Sequence, residues 1–315
     1  MAHPDPGGCA LSTLAIVGVT ATGKSAVAMA IARRLGGVEI ISVDSMQVYR
    51  GMDIGTDKPS AAVRTEVPHH LIDVADPSKD YSLTMFQDAA RQARHDIAAR
   101  GRLAVLAGGT GLYHRAVIDD LDIPGRFPET AAVLEEEPDT MALHRRLAEL
   151  DPVAASRMEP TNRRRVVRAL EVTLGSGRRF SSYGPGLGDY PSRDIAQFGL
   201  SLPRDEVDRR VERRYRRQMD AGFLAEVESL VACHAPLSRT ASQALGYKEL
   251  LAYLDGRMSL DEALAEAITR TRRFARRQER WFRRDPRIVW LDADADAESL
   301  ADQVLSRVSP QTSSG

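Results

Sequence analysis

Residues Gly18-Val19-Thr20-Ala21-Thr22-Gly23-Lys24-Ser25 fit the phosphate-loop pattern G-x-x-x-x-G-K-[ST] at every required position. The spacing has a chemical reason. Glycines let the backbone curl so that successive N–H groups converge on phosphate oxygens. Lys24 adds a point charge for the same oxygens, and the Ser25 hydroxyl is placed to ligate Mg2+. A helix that starts at such a loop aims its positive end at the anion. Asp44 is the second candidate. A carboxylate facing a phosphate loop can hold Mg2+ or accept a proton from an attacking group, although Asp-Ser is also ordinary turn-capping chemistry. Thr110, inside Gly108-Gly109-Thr110-Gly111, is the third.

The elements around these residues place them together. Leu14–Val17 reads as a buried strand, and Ser25–Leu35 as a helix closed by Gly36-Gly37. Val38–Val43 is a second strand ending at Asp44, and Leu71–Val74 a further short one. A helix is expected over Thr84–Arg100, then an apolar strand, Leu103–Ala107, running into Thr110. Strands alternating with helices imply a parallel sheet covered on both faces. Ligands of such sheets bind outside the carboxyl ends of the strands. Gly18–Ser25, Asp44 and Thr110 all lie at such ends, so one sheet edge is the expected site.

The composition changes near Pro124-Gly125. Helical patterns over Met141–Leu150 and Arg164–Leu174, then a Gly/Ser/Pro-rich loop over Gly175–Pro191, mark residues 126–197 as a helical insertion. The α/β core is then 1–125 with 198–315. Gln197–Leu202 is the returning strand, followed by a helix over Arg204–Ala221 with a Val207, Val211, Tyr215 face. A long helix over Leu260–Arg284 carries Leu264, Ala267, Thr271, Phe274, Gln278 and Trp281 as its inward seam, and Pro286 stops it. Ile288–Leu291 is the last strand. Residues 1–12 and Ser309–Gly315 are expected to be loose.

With a net charge of −1, no global field draws the chain to nucleic acid, so such a partner must be held by local patches. Arginines supply them. Arg163, Arg164, Arg165 and Arg168 cluster in the insertion. Those of Arg204–Arg217 are offset by Asp205, Glu206, Asp208 and Glu212, whereas Arg270–Arg284 has Glu279 as its only acidic companion. That imbalance predicts a phosphate backbone as partner. Cys9 and Cys233 form neither a disulfide framework nor a zinc cluster. No apolar run reaches membrane-spanning length and Met1–Gly8 lacks the regions of a signal peptide, so a cytoplasmic protein is expected.

Together these segments resemble the tRNA dimethylallyltransferase family, bacterial type. The match covers Gly18–Ser25, Ser42-Val43-Asp44-Ser45-Met46-Gln47-Val48-Tyr49, Gly51–Pro59, His70–Pro77, Gly108–Tyr113, Arg168–Val172, Gly246-Tyr247 and Thr271–Trp281. The resemblance implies a P-loop-type core with a helical insertion. It implies transfer of a dimethylallyl group from its pyrophosphate to N6 of the adenine at tRNA position 37, by a monomer using Mg2+. Gly18, Val19, Thr20, Ala21, Thr22, Gly23, Lys24 and Ser25 would then hold the pyrophosphate, with Ser25 on the metal. Asp44 would be the general base, Thr110 would place the reacting groups and Arg214 would meet the pyrophosphate. Asp44, Ser45, Met46, Gln47 and Thr110 fall on segments that touch tRNA in the family. So do Arg164, Arg165, Val166, Val167 and Arg168, and likewise Gln243, Ala244, Leu245, Gly246, Tyr247 and Lys248. Arg276 and Arg277 are added from the charge imbalance. Val19 stands where the family usually has proline, and Ala131 where it often has an arginine, with Arg126 the nearest substitute. A small-molecule P-loop kinase is the rival reading: it accounts for Asp44 but not for the arginine-rich helix. A GTP-dependent switch would need an Asn-Lys-x-Asp sequence, which the chain lacks.

Overall fold

The computed structural model describes residues 12–184, 186–232 and 235–308. The two cysteines, residues 1–11 of the expected loose terminus and the expected tail Ser309–Gly315 lie outside them. The chain forms two compact units, Met1–Asp119 with Ser192–Gly315, and Asp120–Pro191. The insertion thus starts and ends earlier than the expected 126–197. The segment after Pro191 packs with the first unit, where Arg193 donates to the Asp119 carbonyl at 2.9 Å.

In the first unit the order is β1 (Thr13–Gly18), α1 (Lys24–Leu35), β2 (Val38–Val43), α2 (Ala61–Glu66), β3 (His69–His70), α3 (Leu83–Ala99), β4 (Leu103–Gly108) and α4 (Gly111–Asp119). The second unit holds α5 (Pro128–Glu135), α6 (Thr140–Leu150), α7 (Pro152–Ser156) and α8 (Arg163–Ser176). The first unit resumes with β5 (Ala196–Ser201), α9 (Arg204–Asp220), α10 (Phe223–Ala232), α11 (Tyr247–Leu254), α12 (Leu260–Phe282), β6 (Ile288–Asp292) and α13 (Ala297–Val308). The strands make one parallel sheet in the order β3-β2-β4-β1-β5-β6. β1 and β2 are buried at every position, the signature of strands covered on both faces. One face packs Ile41, Leu106, Phe86 and Val211, and the other Ile16, Val105, Ile31 and Leu300. Each such side chain stabilises the fold by about 1.5–3 kcal/mol.

The expected strand over Leu71–Val74 is not formed. Leu71 and Asp73 have φ of 62° and 58°, and Asp73 turns back to pair with Lys58 and Arg64 at 2.6 Å. The strand there is the shorter His69–His70, beside β2. On α12 the predicted seam holds for Ala267, Thr271 and Gln278. Ala263, Ala275 and Phe282 complete it, while Leu264, Phe274 and Trp281 sit at its margins. The helix starts at a capping box in which Ser259 accepts from the Glu262 amide and Glu262 from the Ser259 amide. In the second unit, Leu134, Leu143, Leu147, Val166 and Leu170 form a separate small core.

Candidate active site

The phosphate loop joins β1 to α1. Gly23 (φ 87°) turns the chain in a left-handed conformation just before the helix. Ala21 shares that conformation (φ 65°) although it carries a Cβ, a strain of about 1–3 kcal/mol that proteins retain mainly at functional sites. The loop is braced internally. Thr22 Oγ1 and Lys24 Nζ donate to the Val19 carbonyl at 2.9 and 2.6 Å. Burial lowers the Lys24 ammonium from 10.5 to about 8, against the upward pull of the Asp44 carboxylate; Arg214 lowers it further. Ser25 is exposed at the start of α1.

Asp44 follows β2 directly, and its Oδ1 accepts from the Met46 and Gln47 amides at 2.8 and 3.4 Å. The turn-capping reading is therefore correct as far as it goes, and it uses one of the two carboxylate oxygens. Thr110 follows β4. Its hydroxyl accepts from the Ser45 amide at 3.3 Å, tying the two strand ends together. Gln47 extends the corner by donating to the Thr56 and Asp57 carbonyls at 3.1 and 3.3 Å. Arg214, projecting from α9, donates to Thr20 Oγ1 at 2.7 Å, while its buried Nε has no partner among the described residues. Gln278 of α12 accepts from the Thr20 amide at 2.9 Å and donates to the Gly109 carbonyl at 2.7 Å. The phosphate loop, Asp44–Gln47, Thr110 and Arg214 thus come together at one sheet edge. The arrangement can hold an anionic leaving group on one side and a carboxylate base on the other.

A family model described as IPP transferase matches residues 47–285, and one described as isopentenyl transferase matches residues 11–68. The chain is 47% identical over 93% of its length to a tRNA dimethylallyltransferase of Kineococcus radiotolerans, covering 95% of that protein. It is 46% identical over 94% to the same enzyme of Streptomyces coelicolor, again covering 95%. The chain belongs to the IPP transferase family. Its fold matches the crystal structure of a tRNA isopentenylpyrophosphate transferase from Bacillus halodurans with a TM-score of 0.70 and 38% identity, over 95% of this chain and 96% of that one.

Not every residue expected to touch RNA is free to do so. On α8 of this IPP transferase, Arg164 and Arg165 are exposed, but Val166 and Val167 turn into the second unit's core. Arg168 pairs with Glu171 at 2.7 Å and donates to the Pro124 and Gly125 carbonyls. Gln243 and Lys248 are exposed and bonded to each other at 2.9 Å. Between them Leu245 is half-buried, whereas Ala244, Gly246 and Tyr247 are buried. The side chains of Val166, Val167, Ala244 and Tyr247 therefore support these segments from inside.

The charge imbalance on α12 also needs correction. Arg270 pairs with the buried Glu249 of α11. Arg272 pairs with Glu212 at 3.1 Å and Arg276 with Asp208 at 3.6 Å, both on α9. Arg283 stacks 3.9 Å from the Trp290 ring centre. The acids missing from α12 are supplied by the helices it packs on. Arg273, Arg277, Arg280 and, just past the helix, Arg284 form the exposed stripe.

Sequence reasoning missed two residues. Gln278 stands in the sequence only as one member of the long helix's inward seam, where a buried amide at helical spacing signals a backbone partner. Glu226 of α10 accepts from the amides of Asp53, Ile54 and Gly55 at 2.9, 2.7 and 3.2 Å and from the Tyr247 hydroxyl at 2.5 Å. It fixes the loop that Gln47 holds from the other side; nothing in its local sequence reveals this.

Proposed function

We propose that this chain transfers a dimethylallyl group from dimethylallyl pyrophosphate to N6 of the adenine at tRNA position 37, releasing pyrophosphate. The observation that carries the reading is the convergence of the phosphate loop, Arg214, Thr110 and Asp44 at one sheet edge in a member of this family. The loop amides, Lys24 and Arg214 stabilise charge on the pyrophosphate as the bond between the allyl C1 and its oxygen breaks. The N6 lone pair forms the new bond to C1, and one N6 proton passes to Asp44. Thr110, held against Ser45, orients the attacking base. The adenine must leave its stack to reach this depth.

The residues fit Mg2+ as the accompanying ion. Mg2+ keeps several waters and binds through one or two protein oxygens plus substrate phosphates, which suits the exposed Ser25 hydroxyl at the head of α1. Among the described residues no group of three or more His, Cys, Asp or Glu could form an all-protein metal site. Bound there, Mg2+ would neutralise charge on the leaving pyrophosphate. Arg164, Arg165, Gln243, Lys248 and the Arg273–Arg277–Arg280 stripe are the side chains exposed for phosphate contacts with tRNA. In this reading the chain acts as a monomer, in the cytoplasm where its tRNA substrate is.

The test is incubation of the protein with bulk tRNA and labelled dimethylallyl pyrophosphate, followed by digestion to nucleosides. The expected product is label in N6-dimethylallyl adenosine. Thermal stabilisation by ATP in place of the prenyl donor, with no label in adenosine, would overturn the reading in favour of a kinase.

A further inference from the structure

We infer that Gln278 is a positioning residue that sets the separation between the donor-holding loop and the acceptor-side corner at Thr110, an inference that rests on the transfer function proposed above. Gln278 lies in the last two turns of α12 and is 6% exposed. Its two polar ends go to different places. Oε1 accepts from the Thr20 amide and Nε2 donates to the Gly109 carbonyl. A side-chain amide offers an acceptor and a donor on separate atoms at one terminus, so it can serve two backbone partners at once.

Each contact is next to a residue of the chemistry. Thr20 receives Arg214 on its hydroxyl, and Gly109 precedes Thr110, whose hydroxyl receives the amide of Ser45 beside Asp44. One side chain therefore joins the half of the site that holds the leaving group to the half that holds the base. The closeness is enforced on the far side as well. A Cβ at Gly109 would overlap the Gln278 amide, and a Cβ at Gly111 would overlap the Trp281 indole. α12 thus seats directly on both neighbours of Thr110.

Bond formation requires the reacting atoms about 3–3.5 Å apart and aligned, and a misplacement of about 1 Å can cost about a hundredfold in rate. A rigid bridge between the two half-sites meets that demand. It is separable from folding. α12 is anchored independently through Ala267, Thr271, Ala275 and Phe282 and by the Arg270–Glu249 pair.

The test uses the full chain, a tRNA that the wild type modifies and labelled dimethylallyl pyrophosphate. Gln278→Met keeps length and loses both polar ends. Gln278→Glu keeps the acceptor for Thr20 but turns an oxygen against the Gly109 carbonyl. The single-turnover rate should fall by about thirty- to a hundredfold in both. Dissociation constants for tRNA and for inorganic pyrophosphate should stay within about threefold of wild type. A merely structural residue would move affinity or folded fraction along with rate. Should Gln278→Met fail to fold, Gln278→Asn, whose amide reaches one loop but not both, carries the same expectation. A wild-type rate in the variants, or a rate lost only in proportion to affinity, would overturn the coupling alone. Absence of transfer by the wild type would overturn the function proposed above and this inference with it.

Discussion

Asp44→Asn separates the two jobs that the geometry gives this residue. Asparagine keeps an oxygen where Asp44 Oδ1 accepts from Met46 and Gln47 at 2.8 and 3.4 Å, so the turn persists. What is lost is proton-accepting power and a negative charge near Lys24. Exchanging a charged acceptor for a neutral one at a partly exposed turn costs about 1 kcal/mol of stability. Removing general-base catalysis costs about two to four orders of magnitude in rate, or about 3–5 kcal/mol of barrier. The two effects differ enough to be told apart. Single-turnover transfer, measured at saturating enzyme across a Mg2+ series, should show the large loss at every Mg2+ concentration. tRNA affinity should be unchanged and the urea midpoint nearly so. The charge term adds a second signature. Asp44 raises the Lys24 ammonium toward its ordinary range, so in Asp44→Asn that group titrates below about 8, and pyrophosphate affinity begins to fall at lower pH than in wild type. A rate within about threefold of wild type would refute the assignment. Recovery at high Mg2+ would refute it equally, making Asp44 a metal-holding residue.

Burial leaves Lys24 charged below about pH 8 and neutral above it. Pyrophosphate affinity measured by calorimetry should therefore weaken by up to about tenfold per pH unit above 8, while Lys24→Arg stays flat. The same shift has a defined sign for stability. The folded-state value lies below the ordinary 10.5, so the buried charge opposes folding in full below pH 8 and stops doing so as pH approaches 10.5. Lys24→Met should stabilise the chain at pH 7 and give no gain near pH 10.5, as read by urea unfolding. On α12, Arg273→Ala with Arg277→Ala should reduce the slope of log affinity against log salt for tRNA by about 1–2, leaving the melting temperature in place. Arg272→Ala with Arg276→Ala, which breaks the pairs with Glu212 and Asp208, should lower the melting temperature. Glu226→Ala leaves three amides and the Tyr247 hydroxyl without their acceptor, and should cost about 3 kcal/mol or more in urea unfolding.

Most of the sheet was legible because parallel strands covered on both faces read as unbroken apolar runs. Leu103–Ala107 is such a run and became most of β4, and Val38–Val43, interrupted only by Glu39 and Ser42, became β2. Leu71-Ile72-Asp73-Val74 has a similar composition and failed, because its backbone turns left-handed twice under the pull of ion pairs that no local pattern encodes. The helix α4 went unread for the opposite reason. His114, Arg115 and Asp119 on it are buried along with Ala116, Val117 and Ile118, so polar and apolar residues share its buried sides and its apolar period is weak. His114 bonds Gln197 at 2.9 Å and burial lowers it to about 4, while Arg115 and Asp119 pair with each other. Polar groups satisfied inside the fold look, in sequence, like a solvated face.

The same effect explains the arginine run. Counting charges along Arg270–Arg284 treats that segment as if it stood alone, and on that count eight arginines against Glu279 demand an external polyanion. The helix is instead packed on α9 and α11, whose acids lie sixty or so residues and some twenty residues away in sequence: Asp208 and Glu212 on one, Glu249 on the other. On α9 the sequence sets Asp205, Glu206, Asp208 and Glu212 against the helix's own arginines. Glu206 does serve Arg209, Arg210 and Arg213, but Asp208 and Glu212 also reach across to α12. The excess positive charge is therefore shared between two helices. Only where α12 faces outward, at Arg273, Arg277 and Arg280, does it become available for a phosphate backbone. The inward face carries Gln278, a neutral residue that the charge count passes over and that binds the phosphate loop and the Thr110 segment at once. Helical period assigns the two tasks: residues 273, 277 and 280 share one stripe, and 271, 275, 278 and 282 the other.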